Sequence, residues 1–174
     1  MARGQTQPRF DPFAILTELE RERVTYIVIG AFARVIHGTD EMTRGIDFTP
    51  STREENLRRL DLALDAINAR LPDGREPSLQ TTDFEAERVV ELATGFGEVK
   101  IVPFPEGTRG YEDLRRDVSR EPIGHGLRPS VASPSDLARM LSARGREQDI
   151  PKLIMMRRLI ELDHGLHRGL SIER

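Results

Sequence analysis

The sequence predicts an α+β fold, a mixed β-sheet flanked by helices, with α/β-like alternation at its start and helices at its C-terminal side. Three observations lead there. Two short apolar runs, "VTYIVIG" and "GIDFTP", are bounded by Gly or Pro and separated by a helical pattern. A further pair of runs flanks a Gly-rich turn in "RVVELATGFGEVKIVPF", and after Ala132 helical patterns dominate. Strands that first alternate with helices and then pair locally belong to a mixed sheet.

In order, residues 1–10 read as a flexible tail and 11–174 as one domain, long enough for a single core. Asp11 and Pro12 supply an N-cap and a first-turn proline for a helix to about Glu20, with Phe13, Leu16 and Leu19 inward. "VTYIVIG" is a strand apolar on both faces and stopped by Gly30; "AFARVIHG" is a short helix ended by Gly38. "GIDFTP" is the second strand, closed by Pro50. Ser51 and Glu54 have capping-box spacing, and Leu57, Leu60, Leu64, Ile67 and Leu71 step by threes and fours along one helix face.

"PDGREPS" is a surface linker, "PEGTRGYEDLRRDV" a loop entering a helix, and "EPIGHGLRPSVA" a hairpin turning at Gly124-His125-Gly126. "SPSDLARMLSARG" is a capped helix stopped by Gly145. Asp149 and Pro151 open the last helix, whose apolar surface of Leu153, Met156, Leu159 and Ile160 is buried either in its own core or in a dimer.

Composition narrows the function classes. Charged residues are 32% and aromatics 5% of the chain, with net charge -3 and mean hydropathy -0.46. Such a hydrophilic globule has no overall attraction to nucleic acid or anionic membrane, and its basic runs are interleaved with acids. The lack of cysteine excludes disulfides, thiolate catalysis and Cys-bound zinc. "MARGQTQPRF" has no apolar signal core, and no run approaches the ~20 apolar residues of a membrane span. A cytoplasmic location is the expectation.

The chemistry centres on "YIVIGAFARVIHGTDEMTRGIDFTP", residues 26–50. A strand that ends in a small residue and enters a helix lets backbone N–H groups approach a phosphate. Gly30 and Ala31 are therefore candidate nucleotide-binding residues, joined by Thr43 and Arg44 before the next strand, with a plain turn at Gly30 and surface solvation of Arg44 as the alternatives. Arg109 is a further phosphate candidate, with plain surface solvation as its alternative. In "TRGIDF", residues two apart share a strand face. Two carboxylates at that spacing, completed by a third from a neighbouring strand, hold Mg²⁺ for two-metal phosphoryl transfer. Here the first position is Gly45 and only Asp47 is acidic. Of the histidines, His37 packs or caps the short helix, and His125, His164 and His167 lack metal spacing.

These segments carry a resemblance. "YIVIGAFARVIHGTDEMTRGIDF" is similar to the signature of the polymerase-β-like nucleotidyltransferase superfamily. "HGTDEMTRGIDF", "GEVKIVPFPEGTRGYEDL" and "VASPSDLARMLSARGREQDIPKL" resemble, in this order, segments of the small bacterial AbiEii-like or minimal nucleotidyltransferase type, over about residues 24–160. The resemblance implies a nucleotidyltransferase-type sheet, NTP with RNA or protein as partners, Mg²⁺ as cofactor of an active member, and a toxin–antitoxin setting. It also implies three metal carboxylates. This chain has Gly45 at the first and Lys100 at the third, so Asp47 alone survives; Ala31 replaces a second Gly, and Leu141 a Lys.

An ammonium about 5 Å from Mg²⁺, at an effective dielectric of about 20, repels it by roughly 6–7 kcal/mol. With the strands aligned as the resemblance implies, Lys100 pairs with Asp47 where a metal would bridge. That describes a degenerate protein acting by binding nucleotide, RNA or a protein partner. The alternative is a working enzyme that transfers NMP from NTP to RNA or protein through a rearranged centre. For that centre Glu98 shares the strand face of Lys100, and Asp40 and Glu41 lie in the loop before Asp47. An engineered replacement of an Asp by Gly45 is a third reading.

Overall fold

A computed structural model describes residues 8–170, and the side chains of residues 8–166. The chain runs α1 (Pro12–Arg21), β1 (Tyr26–Ile29), α2 (Gly30–Ile36), β2 (Gly45–Pro50), α3 (Glu54–Ala66), β3 (Val90–Thr94), β4 (Gly97–Ile101), α4 (Tyr111–Leu114), β5 (Ser119–Arg120), β6 (Ser130–Val131), α5 (Pro134–Arg144) and α6 (Ile150–Leu170). Of the expected tail, residues 1–7 lie outside the described residues. Phe10 is half-buried, with its ring edge-on to Phe32 at 5.7 Å.

The six strands form one sheet in the order β3-β4-β2-β1-β6-β5. β1 pairs antiparallel with β2; β2–β4 and β1–β6 are parallel; the outer pairs β3–β4 and β5–β6 are antiparallel. The expected α+β class, a mixed sheet flanked by helices, is what the chain adopts. Gly95 and Phe96 form the two-residue turn between β3 and β4, so Thr94 faces Gly97 and the register of the hairpin is fixed. The parallel β2–β4 pair needs a crossover, supplied by α3 and the connection after it.

Alternation divides the sheet into two faces. Ile46 and Phe48 of β2, Val90 and Leu92 of β3, and Val99 and Ile101 of β4 are buried, in one core with Leu16 and Leu19 of α1 and Leu60 and Leu64 of α3. Each such side chain stabilises the fold by about 1.5–3 kcal/mol relative to its exposure. The same three strands send Asp47, Glu91, Glu98 and Lys100 to the other face.

The caps of α1 and α5 form as the sequence implies. Asp11 accepts a hydrogen bond from the Ala14 amide at 3.1 Å, Ser133 accepts from the Asp136 amide at 3.0 Å, and Gly145 ends α5 in the left-handed region. The capping box of α3 does not. Its N-cap is Arg53, with no side-chain cap. Ser51 stays extended because its amide donates to the Thr25 carbonyl at 3.0 Å and its carbonyl accepts from Asn56 Nδ2 at 2.7 Å. Leu71 also lies beyond α3: Asn68, with φ 55, turns the chain out of the helix after Ile67.

The last helix opens one residue later than its Asp149 signal, after a 3-10 turn at Glu147–Asp149. Met156 is fully buried and Leu153 and Leu159 pack against the core, whereas Ile154, Met155, Leu162 and Leu166 remain exposed. Among the described residues no helix is long and apolar enough to cross a membrane.

Candidate functional site

The polar face of the sheet is the floor of a cleft of about 360 Å³. Its lining brings together the end of β1, Asp47 of β2, Glu91 of β3, Lys100 of β4, and Leu137, Met140, Leu141 and Arg144 of α5. Ile29 and Asp47 are register partners, which puts the carboxylate beside the turn from β1 into α2. That turn needs Gly30. Its φ is +70, and a Cβ there would stand 2.6 Å from Asp47 Oδ2. The Asp47 carboxylate thus occupies the space that a side chain at position 30 would need.

In the parallel β2–β4 ladder Gly45 stands opposite Glu98, and Asp47 opposite Lys100. Lys100 does not form the expected ion pair with Asp47. Its ammonium is 3.4 Å from Glu91 Oε1, its register partner across β3–β4. The reason is exposure: Glu91 is exposed and Asp47 half-buried, so pairing with Glu91 requires less desolvation. Among the described residues Asp47 makes no hydrogen bond or ion pair. Burial pushes its pKa above the ordinary carboxylate value; Lys100, Arg34 and Arg144 pull it back without cancelling the effect, and Glu91 adds to it. A half-buried acid held without partners in a cleft is a functional-site signature.

Two arginines of the cleft are committed to structure. Arg34, 5% exposed, donates from Nε and Nη2 to Glu41 at 2.8 and 2.9 Å, and Thr39 donates to the same carboxylate. Burial works against the Glu41 charge, but these hydrogen bonds hold its pKa below the usual range. Arg144 donates twice to Asp149 Oδ2, at 3.0 and 2.7 Å, and joins the end of α5 to the start of α6. Glu41 is therefore engaged, and Asp40 is exposed in the loop.

Gly45 packs on β4 so closely that a Cβ would overlap the Glu98 carbonyl. Glu98 is exposed and does not line the cleft; neither do Ala31, Thr43, Arg44 and Arg109. The Thr43 hydroxyl donates to the Gly45 carbonyl at 2.9 Å, which fixes the entry to β2. The Arg109 amide donates to Asp113. His37 is the C-cap of α2, and its Nε2 hydrogen-bonds the Ala132 carbonyl at 2.8 Å. His125 stacks on Phe13, His164 is exposed, and the His167 side chain lies outside the described residues.

The donor set does not fit Mg²⁺. Among the described residues no three acidic or histidine side chains cluster to hold a metal, Gly45 has no room for a side chain, and the residue opposite Asp47 in the ladder is the cationic Lys100. Sequence reasoning missed Arg88, Glu91, Arg146 and Phe104, which also line the cleft. Glu91 was within reach: a two-residue turn at Gly95-Phe96 forces it opposite Lys100. The others come from loops, where no periodicity reports direction.

No protein-family model and no curated protein matches the sequence. Among solved structures the chain is similar to a candidate nucleotidyltransferase from Thermotoga maritima, at 17% identity over 91% of this chain and 89% of that one, with a TM-score of 0.46. It is also similar to the antibiotic-resistance factor ANT(2'')-Ia, at 11% identity over 92% of this chain and 95% of that one, with a TM-score of 0.48.

Proposed function

We propose that this chain is a nucleotidyltransferase-fold protein that binds a nucleoside triphosphate in its cleft and does not transfer it. The observation that carries the reading is the environment of Asp47. Lys100 stands beside it in the ladder, and Gly45, at the other metal position, is packed too tightly for a side chain. Phosphoryl transfer depends on metal and positioning, and an ammonium in place of a metal carboxylate opposes the first. Of the five cations lining the cleft, Arg34 and Arg144 are paired with Glu41 and Asp149, and Arg88 and Arg146, exposed and without a side-chain partner among the described residues, are the groups that would meet an anionic ligand. The segments over residues 24–160 support the fold type, and with it a bacterial, cytoplasmic toxin–antitoxin setting in which RNA or a protein partner meets the same cleft.

The test is incubation with α-labelled NTPs and Mg²⁺ or Mn²⁺ in the presence of RNA and protein. No label on either is expected. Robust metal-dependent labelling that Asp47→Ala abolishes would overturn the reading.

Glu91 favours one alternative. It lines the cleft with Asp47, and Lys100 lies between their strands' partners, so movement of the ammonium would leave two carboxylates for a metal. Such an enzyme would need both acids, and Glu91→Gln would silence it.

A further inference from the structure

Resting on the reading of the cleft as a nucleotide site, we propose that its triphosphate subsite is metal-free. It lies on Arg88, Lys100 and Arg146, and not at the turn from β1 into α2.

The turn is closed to a phosphate. Asp47 Oδ2 stands 2.6 Å from where a Gly30 Cβ would be, so a phosphate approaching that backbone on the same side meets a carboxylate first. Two anions that close repel strongly in a site of reduced dielectric. A bridging metal would relieve this, and the residues here do not fit one.

The cations divide into two sets. Arg34 and Arg144 are each bound through two hydrogen bonds to Glu41 and Asp149. Arg88 and Arg146 are exposed, and their side chains make no hydrogen bond or ion pair among the described residues. Lys100 holds only the 3.4 Å pair with Glu91, both side chains substantially exposed. A surface pair of that kind is weak and exchanges readily for a phosphate. The three cations come from the segment before β3, from β4 and from the loop after α5, and they line one cleft. Arginine forks suit phosphate oxygens.

The same cleft offers a place for the nucleoside. Phe104, 51% exposed, lies on its lining with Met140 and Leu141. An exposed ring beside a cationic cluster suits base stacking. Magnesium cancels part of the triphosphate charge and finds no set of carboxylates to complete its shell, so it weakens binding here.

The experiment is isothermal titration of the full chain with ATP, GTP, CTP, UTP and inorganic tripolyphosphate, each in excess EDTA and in excess Mg²⁺. We expect nucleotides to bind in EDTA at least as tightly as in Mg²⁺, and more tightly than tripolyphosphate. Arg88→Ala with Arg146→Ala, and separately Lys100→Glu, should weaken binding roughly tenfold or more, the loss of charge-assisted hydrogen bonds. Arg75→Ala, in the linker, should not. Melting temperatures equal to wild type separate lost binding from lost fold.

Binding that needs magnesium, without label transfer, overturns the metal-free subsite and leaves the non-transferring reading standing. Unchanged binding in the arginine double variant also overturns the subsite. Metal-dependent label transfer overturns the non-transferring reading, and no triphosphate binding in either buffer overturns both.

Discussion

Asp47 concentrates the residue-scale physics. Its folded pKa is raised, chiefly by burial, so between the ordinary aspartate value of 3.8 and the raised one the folded chain holds a proton that the unfolded chain has released. Stability tied to this group is full below 3.8 and is lost as pH rises through the folded pKa. Glu41 and Asp149 have the opposite sign: their depressed values add stability that disappears as pH falls. Asp47→Asn isolates the first effect. The variant should melt above wild type at pH 7, and the difference should shrink to nothing as pH drops below the ordinary aspartate value, in thermal denaturation followed by circular dichroism. A gap that stays constant with pH would show that packing, not charge, is responsible. That Gly45 and Lys100 stand where the resemblance implies metal carboxylates was read from the sequence and remains part of the proposal. The destination of the Lys100 ammonium was not legible there, because it depends on a register contact with Glu91 and on how much water each acid keeps.

At the scale of elements, Asn56 ties three segments together. Its Oδ1 accepts from the Thr25 amide at 2.7 Å, and its Nδ2 donates to the Thr25 and Ser51 carbonyls at 2.9 and 2.7 Å. It thereby joins the entry to β1 and the exit from β2 to the first turn of α3, and it is buried. Asn56→Ala leaves the Thr25 amide and the Ser51 carbonyl without these partners, while the Thr25 carbonyl keeps the Ser51 amide. A loss of about 3 kcal/mol, or roughly 6–12 °C in Tm, is expected, read from urea and thermal unfolding. A change under about 0.5 kcal/mol would mean that water replaces the amide. The leucine stepping of α3 was readable from sequence, whereas nothing in it singled out Asn56. The capping-box spacing of Ser51 and Glu54 misled because Ser51 is still paired to β1. Local motifs give way where a neighbouring strand already uses the backbone.

At the scale of the molecule, the sheet separates stability from chemistry. One face holds the apolar core with α1 and α3, and the other carries charges into a cleft walled by α5. The two faces follow from period-two alternation in β2, β3 and β4, and the mixed α+β class from the sequence order of strands and helices. The cleft itself was hidden, since α5 returns to the sheet from the far end of the chain and Arg88, Phe104 and Arg146 come from loops. On the reading proposed above, this cleft takes a nucleotide without a metal. That reading is tested most directly by melting the protein with saturating NTP in excess chelator and in excess Mg²⁺. At about 100 times its dissociation constant a ligand adds about 2.7 kcal/mol, or roughly 5–11 °C here. That stabilisation should appear in chelator, undiminished relative to magnesium; stabilisation only with magnesium would mean that the cleft holds nucleotide through a metal.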